Sequence, residues 1–126
     1  MTRLPKALLA LLALLIAVAF SAPALAGDAE AGKVTFSQLC WTCHGHSGTG
    51  DGPAGAALTP PPRDFTIGDF AYDADGNGTK GEDADLSMVI KQGAAAFGGN
   101  PSMAPWGHLS DDDVANVDAY IRSFKK

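Results

Sequence analysis

The stretch "LCWTCHGHSG", Leu39 to Gly48, holds both cysteines of the chain, Cys40 and Cys43, with His44 directly after the second. Several chemistries compete for this spacing. A thiol–disulfide oxidoreductase sets Cys-x-x-Cys in a βαβ context, and no strand pattern precedes Cys40. A zinc or copper centre using His46 as an extra ligand wants four donors, usually from two separated pairs, and the sequence has no second pair. A disulfide at this spacing closes so small a loop that it removes little unfolded-state entropy. The remaining chemistry is covalent haem, for which Cys-x-x-Cys-His is the c-type attachment signature. Each thiol adds to a haem vinyl group. One turn of backbone presents both sulfurs to one porphyrin edge, and His44 falls beneath the iron as proximal ligand. The expected cofactor is one covalent haem c per chain.

The ends of the chain agree with this chemistry. Of 126 residues, the first 26 read as an export signal. Arg3 and Lys6 are basic, Ala7 to Phe20 is entirely apolar, and Ala24-Leu25-Ala26 fits the small-x-small cleavage rule. The apolar run is short of the ~20 residues that span a bilayer, so no membrane insertion is expected after cleavage. The expected mature protein is 27–126, a single domain in a bacterial periplasm. The leader holds two of the nine basic residues and none of the fourteen acidic ones, so 27–126 carries a net charge of −7. Such a charge disfavours nucleic acid and anionic membrane surfaces. It favours a partner with a basic docking patch.

An all-α fold is expected, with three main helices and long loops wrapped around the haem. The first helix runs roughly from Asp28, its cap, to Leu39, with Gly32, Phe36 and Cys40 recurring on one face. The second runs roughly from Asp85 to Gln92 with an apolar stripe of Leu86, Val89 and Ile90. The third, "SDDDVANVDAYIRSF", opens on Ser110 as N-cap, with acids in the first turn where the helix dipole favours them. About 45 residues between the first two helices show no regular pattern, which an apolar ligand enclosed by loops would explain.

A sixth iron ligand is needed. Met103 lies in the loop "GGNPSMAPWG", free to turn inward, whereas Met88 sits off the apolar stripe of its helix. The alternatives are a Met103 that merely fills the core, or bis-histidine ligation through His108. His46 is too near His44 to reach the other haem face.

These features resemble the class I cytochromes c over essentially the whole chain after the leader, and within them a group of small bacterial monohaem proteins. The resemblance matches Gly32, Phe36 and Cys40 to the family's first helix. It matches Val117, Tyr120 and Ile121 to the last helix, which crosses the first at that glycine. It implies that a proline carbonyl, here that of Pro53 in "GDGPAG", accepts from Nδ1–H of His44 and fixes the ring. It implies Met103 as distal ligand, with the family's Met-Pro-x-Trp written here as "MAPW", the proline one place later. Arg63 in "PPPRDF" either aims its guanidinium at a haem propionate or is a solvated loop arginine. Trp106 either lines the haem crevice or belongs to the core.

A second motif, "DADGNGTKGEDA", places Asp73, Asp75 and Asn77 at positions 1, 3 and 5 of a calcium loop, with Gly78 at the turn. Position 12 is Ala84 rather than Glu, so Asp83 or Asp85 would have to substitute. The same composition suits an acidic surface turn.

The function these readings imply is single-electron transfer between redox partners by a His/Met-ligated monohaem cytochrome, a monomer that catalyses no bond-making. Two alternatives share the motif. One is a haem subunit of a larger dehydrogenase or reductase. The other is a gas- or peroxide-binding haem sensor or enzyme with a labile sixth position.

Overall fold

The computed structural model describes residues 26–126. The expected leader therefore lies almost wholly outside the described residues. Among the described residues four α-helices run in order: α1 (Ala29–Leu39), α2 (Trp41–His44), α3 (Asp83–Gln92) and α4 (Asp111–Ser123). Single 3₁₀ turns occur at Phe65–Ile67 and Ala94–Phe97. No strand occurs among the described residues. No helix among them is long and apolar enough to cross a membrane.

Each long helix starts where a side chain satisfies its free N–H groups. Asp28 caps α1 by accepting from the N–H groups of Glu30 and Ala31. At α4, Ser110 Oγ accepts from Asp113 N–H, and the Asp113 carboxylate accepts in return from Ser110 N–H. Helix α3 starts two residues before its apolar stripe suggests, at Asp83. The Glu82 N–H donates to Asp85 Oδ2 over 3.0 Å, so the cap lies outside the stripe.

The fold turns on the crossing of α1 and α4. A Cβ built on Gly32 would overlap the Asn116 carbonyl and lie 2.8 Å from Val117 N, so only glycine lets the two backbones approach. Around this crossing Phe36, Val114 and Val117 are fully buried. Full burial contributes on the order of 1.5–3 kcal/mol per side chain. The Phe36 ring meets Tyr120 edge-on at 5.3 Å and Phe124 at 5.4 Å. Leu86 and Ile90 of α3, Ile121 of α4 and Phe65 complete the core. The α1–α4 pair fixes the end of α1, and hence the position of the cysteines.

Candidate functional site

Cys40 closes α1, its N–H bonded to the Phe36 carbonyl, and α2 begins at the next residue. Within this turn the N–H groups of Cys43 and His44 both donate to the Cys40 carbonyl, at 3.2 and 3.0 Å. Both thiols are free, and neither is joined to the other.

A helix of four residues leaves every carbonyl without an internal partner. The glycine-rich loop after it supplies the donors. The N–H groups of Gly45, Ala54, Gly52 and Gly50 donate to the carbonyls of Trp41, Thr42, Cys43 and His44 in turn, at 2.7–3.1 Å. A Cβ on Gly52 would overlap the Thr42 carbonyl, so the loop backbone reaches α2 only without a side chain there. The segment "GTGDGPAG" is thus the cap that rigidifies the Cys-x-x-Cys-His turn.

His44 is held from two sides. Its ring stacks on Phe65 at 4.5 Å and 19°. Its Nδ1 lies 3.3 Å from the Arg63 carbonyl oxygen. A carbonyl can only accept, so Nδ1 carries the proton and Nε2 keeps its lone pair. Burial holds the imidazole below its usual pKa, the Arg63 carbonyl offsetting this in part. The ring is therefore neutral and able to ligate.

This geometry corrects one expectation. Pro53 is exposed in the capping loop, outside the cavity lining, and the group facing Nδ1 is the carbonyl of Arg63. The reason is the cap itself: the residues flanking Pro53 give their N–H groups to Cys43 and Thr42, which holds this turn against the α2 backbone. The Arg63 side chain is also engaged. Its Nε donates to the Asp69 carbonyl at 2.6 Å, and Nη2 meets Asp69 Oδ2 at 3.0 Å.

Cys40, Cys43, His44, Met103, Arg63 and Trp106 line one cavity of about 340 Å³. Most of its remaining wall is apolar, from α3, α4, the Pro60–Pro62 segment and Phe70. The Met103 loop is tied to α3 and to the 3₁₀ turn after it, with Trp106 N–H donating to the Ile90 carbonyl and Ala94 N–H to the Met103 carbonyl. Asn100 Nδ2 donates to the Pro60 carbonyl, joining the methionine loop to the proline segment at the cavity rim. The other candidates lie elsewhere. Met88 does not line the cavity, His108 is exposed beside Trp106, and His46 stacks on Trp41 at 4.4 Å.

The donor set fits a large apolar prosthetic group. Burial, then the neighbouring Cys43, pushes the Cys40 thiol up to about 11, so without a bound group it stays a neutral thiol. Two unbridged thiols, a neutral imidazole and a thioether in one apolar cavity match covalent haem better than any single ion. Among the described residues, the one convergence of three His, Cys, Asp or Glu donors is Asp73, Asp75 and Asp85, in the acidic loop. Of the two acids that could stand in for the missing position-12 Glu, it is Asp85 that joins Asp73 and Asp75. Asn77 instead donates to Asp75 and Glu82.

Comparison with known proteins places this geometry. A family model described as Cytochrome c matches residues 29–125. The chain is 34% identical over 114 residues to cytochrome c6 of Picosynechococcus sp., covering 90% of this chain and 87% of that protein. It is 34% identical over 105 residues to cytochrome c-554(547) of Halothiobacillus neapolitanus, covering 79% of this chain and all of that protein. Among solved structures it resembles a chain of a reducing HAO-like protein complex of Kuenenia stuttgartiensis, with a TM-score of 0.65 at 31% identity. That match covers 78% of this chain but 43% of the other, so this chain spans less than half of that protein.

Proposed function

The chain belongs to the cytochrome c family, and from that premise we propose that it is a periplasmic monohaem electron carrier whose iron is held by His44 and Met103. The observation that carries this reading is the shared cavity, which gathers both thiols, the neutral imidazole and the only thioether on its wall. In the mature chain 27–126, Cys40 and Cys43 would bond the haem. When bound, the haem supplies a one-electron iron couple. The chain's own residues hold that couple in one geometry. The capping loop fixes α2, Phe65 and the Arg63 carbonyl orient His44, and the α3 anchor holds the Met103 loop. Rigid ligands keep reorganisation between redox states small.

The mass of protein exported by a bacterial host tests this reading. We expect Gly27–Lys126 plus one haem that stays attached on denaturation. Pigment that extracts from the chain would overturn it.

The net charge of −7 over 27–126 supports transient docking of the monomer to a basic partner. Electron-transfer rates with such a partner should fall as ionic strength rises. A second reading, as a haem subunit of a complex, is favoured by the match to part of a longer chain in such a complex. Gel filtration of native extract separates the two by mass.

The acidic loop adds a structural element. Asp73, Asp75 and Asp85 bring ligand oxygens within 4.8 Å of one another, which supports a Ca²⁺ held by Asp73 and Asp75 of the expected loop, with Asp85 substituting for the position-12 Glu and Asn77 beside them. Thermal midpoints that are equal in calcium and in chelator would remove this element.

A further inference from the structure

Helix α4 carries a buried carboxylate that electron transfer as described leaves unused. Asp118 is 4% exposed. Arg122, one turn later, puts Nε 3.0 Å from Asp118 Oδ1, yet neither atom makes an aligned hydrogen bond. The guanidinium is directed elsewhere. Its Nη2 meets Asp83 Oδ1 at the start of α3 and donates to the Gly81 carbonyl, both at 2.9 Å. Two carboxylates therefore share one guanidinium, and the cluster carries one net negative charge when both are ionised.

This cluster stands close to the cavity. The Arg122 Cζ lies 5.2 Å from the centre of the Phe70 ring, and Phe70 lines the cavity. Val117 and Ile121, on the same turn of α4 as Asp118, line it as well. The charged groups acting on Asp118 are Arg122 from its own helix and Asp83 from α3. Asp85, also in α3, turns its carboxylate to the N–H groups of Ala74, Asp75 and Glu82 instead. At the crossing, α1 presents Gly32 and Phe36 to α4. In such a setting desolvation disfavours the ionised form. Burial accordingly pushes the Asp118 carboxyl up to about 6, with Arg122 working against the shift and Asp83 for it.

We propose that Asp118 couples proton uptake to electron uptake at the cavity. The coupling rests on the haem reading above. An external donor would supply one electron to the haem that Cys40, Cys43 and His44 would hold. A solvent proton then bonds to an Asp118 carboxylate oxygen, and no protein bond breaks. The cluster becomes neutral as the site gains negative charge. Coupling is reciprocal: whatever factor reduction adds to the proton affinity of Asp118, protonation adds to the electron affinity of the site. For charges separated by roughly an aromatic ring and its surroundings, that factor is on the order of tenfold.

Potentiometric titration of the holoprotein across pH tests the proposal, with Asp118→Asn alongside. The wild-type midpoint potential should rise as pH falls through about 6. In Asp118→Asn it should be higher at neutral pH and flat through that range. The carboxyl resonance of wild-type Asp118, followed by NMR in both redox states, reads the same coupling without a substitution. Its proton affinity should be about tenfold greater in the reduced protein. A pH response that survives Asp118→Asn, or an Asp118 titration indifferent to redox state, overturns the inference alone. Absence of any reversible one-electron wave overturns the carrier reading and this inference together.

Discussion

The Nδ1 atom of His44 lies 3.3 Å from the carbonyl oxygen of Arg63, while the Arg63 guanidinium is bound to Asp69. Backbone and side chain of one residue thus do separate things. Arg63→Ala keeps the carbonyl and loses the exposed ion pair with Asp69 and the Nε hydrogen bond to the Asp69 carbonyl, together worth about 1–2 kcal/mol. We expect the variant's absorption spectrum to match wild type and its stability to fall by no more than that. A changed spectrum would show that the guanidinium itself acts in the cavity.

Gly32 touches the backbone of α4 at Asn116 and Val117. Gly32→Ala forces the helices apart, and overpacking of this kind costs about 1–3 kcal/mol or more. Lys33→Ala, on the exposed side of α1, should change stability by less than about 0.5 kcal/mol. Denaturant midpoints of the two variants check the contrast. Equal midpoints would mean that the crossing is looser than the structure shows.

Both features bear on how much the sequence discloses. The Gly32–Phe36–Tyr120 pattern is legible because helical periodicity puts side chains on a face, and their packing follows. The capping residues Asp28 and Ser110 are legible for the same local reason. The Arg63 carbonyl is not, because every residue carries one and only the path of the chain selects it. The capping of α2 by four loop N–H groups is backbone chemistry too, visible in sequence only as an excess of glycine. The sharing of Arg122 between Asp118 and Asp83 was hidden differently. Asp118 and Arg122 stand at the i,i+4 spacing of an ordinary surface pair, and the folded chain alone brings Asp83 to them.

Asp118 also makes stability depend on pH, with a definite sign. Its carboxyl is raised from 3.8 to about 6 on folding, so the folded state holds the proton more tightly than the unfolded state. Stability from this group is fully present below the unfolded value and is lost as pH rises through about 6. The loss is at most about 3 kcal/mol, from a shift of roughly two pH units. Chemical denaturation between about pH 4 and 6 should show wild type weakening, and Asp118→Asn weakening less. Identical slopes would remove Asp118 as the source.

The central claim is that His44 and Met103 together hold the iron of a covalently bound haem. The absorption spectrum of the purified protein, in both redox states and with Met103→Ala beside it, tests this most directly. The account predicts a low-spin spectrum in both states, with the weak far-red sulfur-to-iron band of the oxidised protein lost in Met103→Ala. A high-spin wild-type spectrum, or a band that survives Met103→Ala, would contradict it.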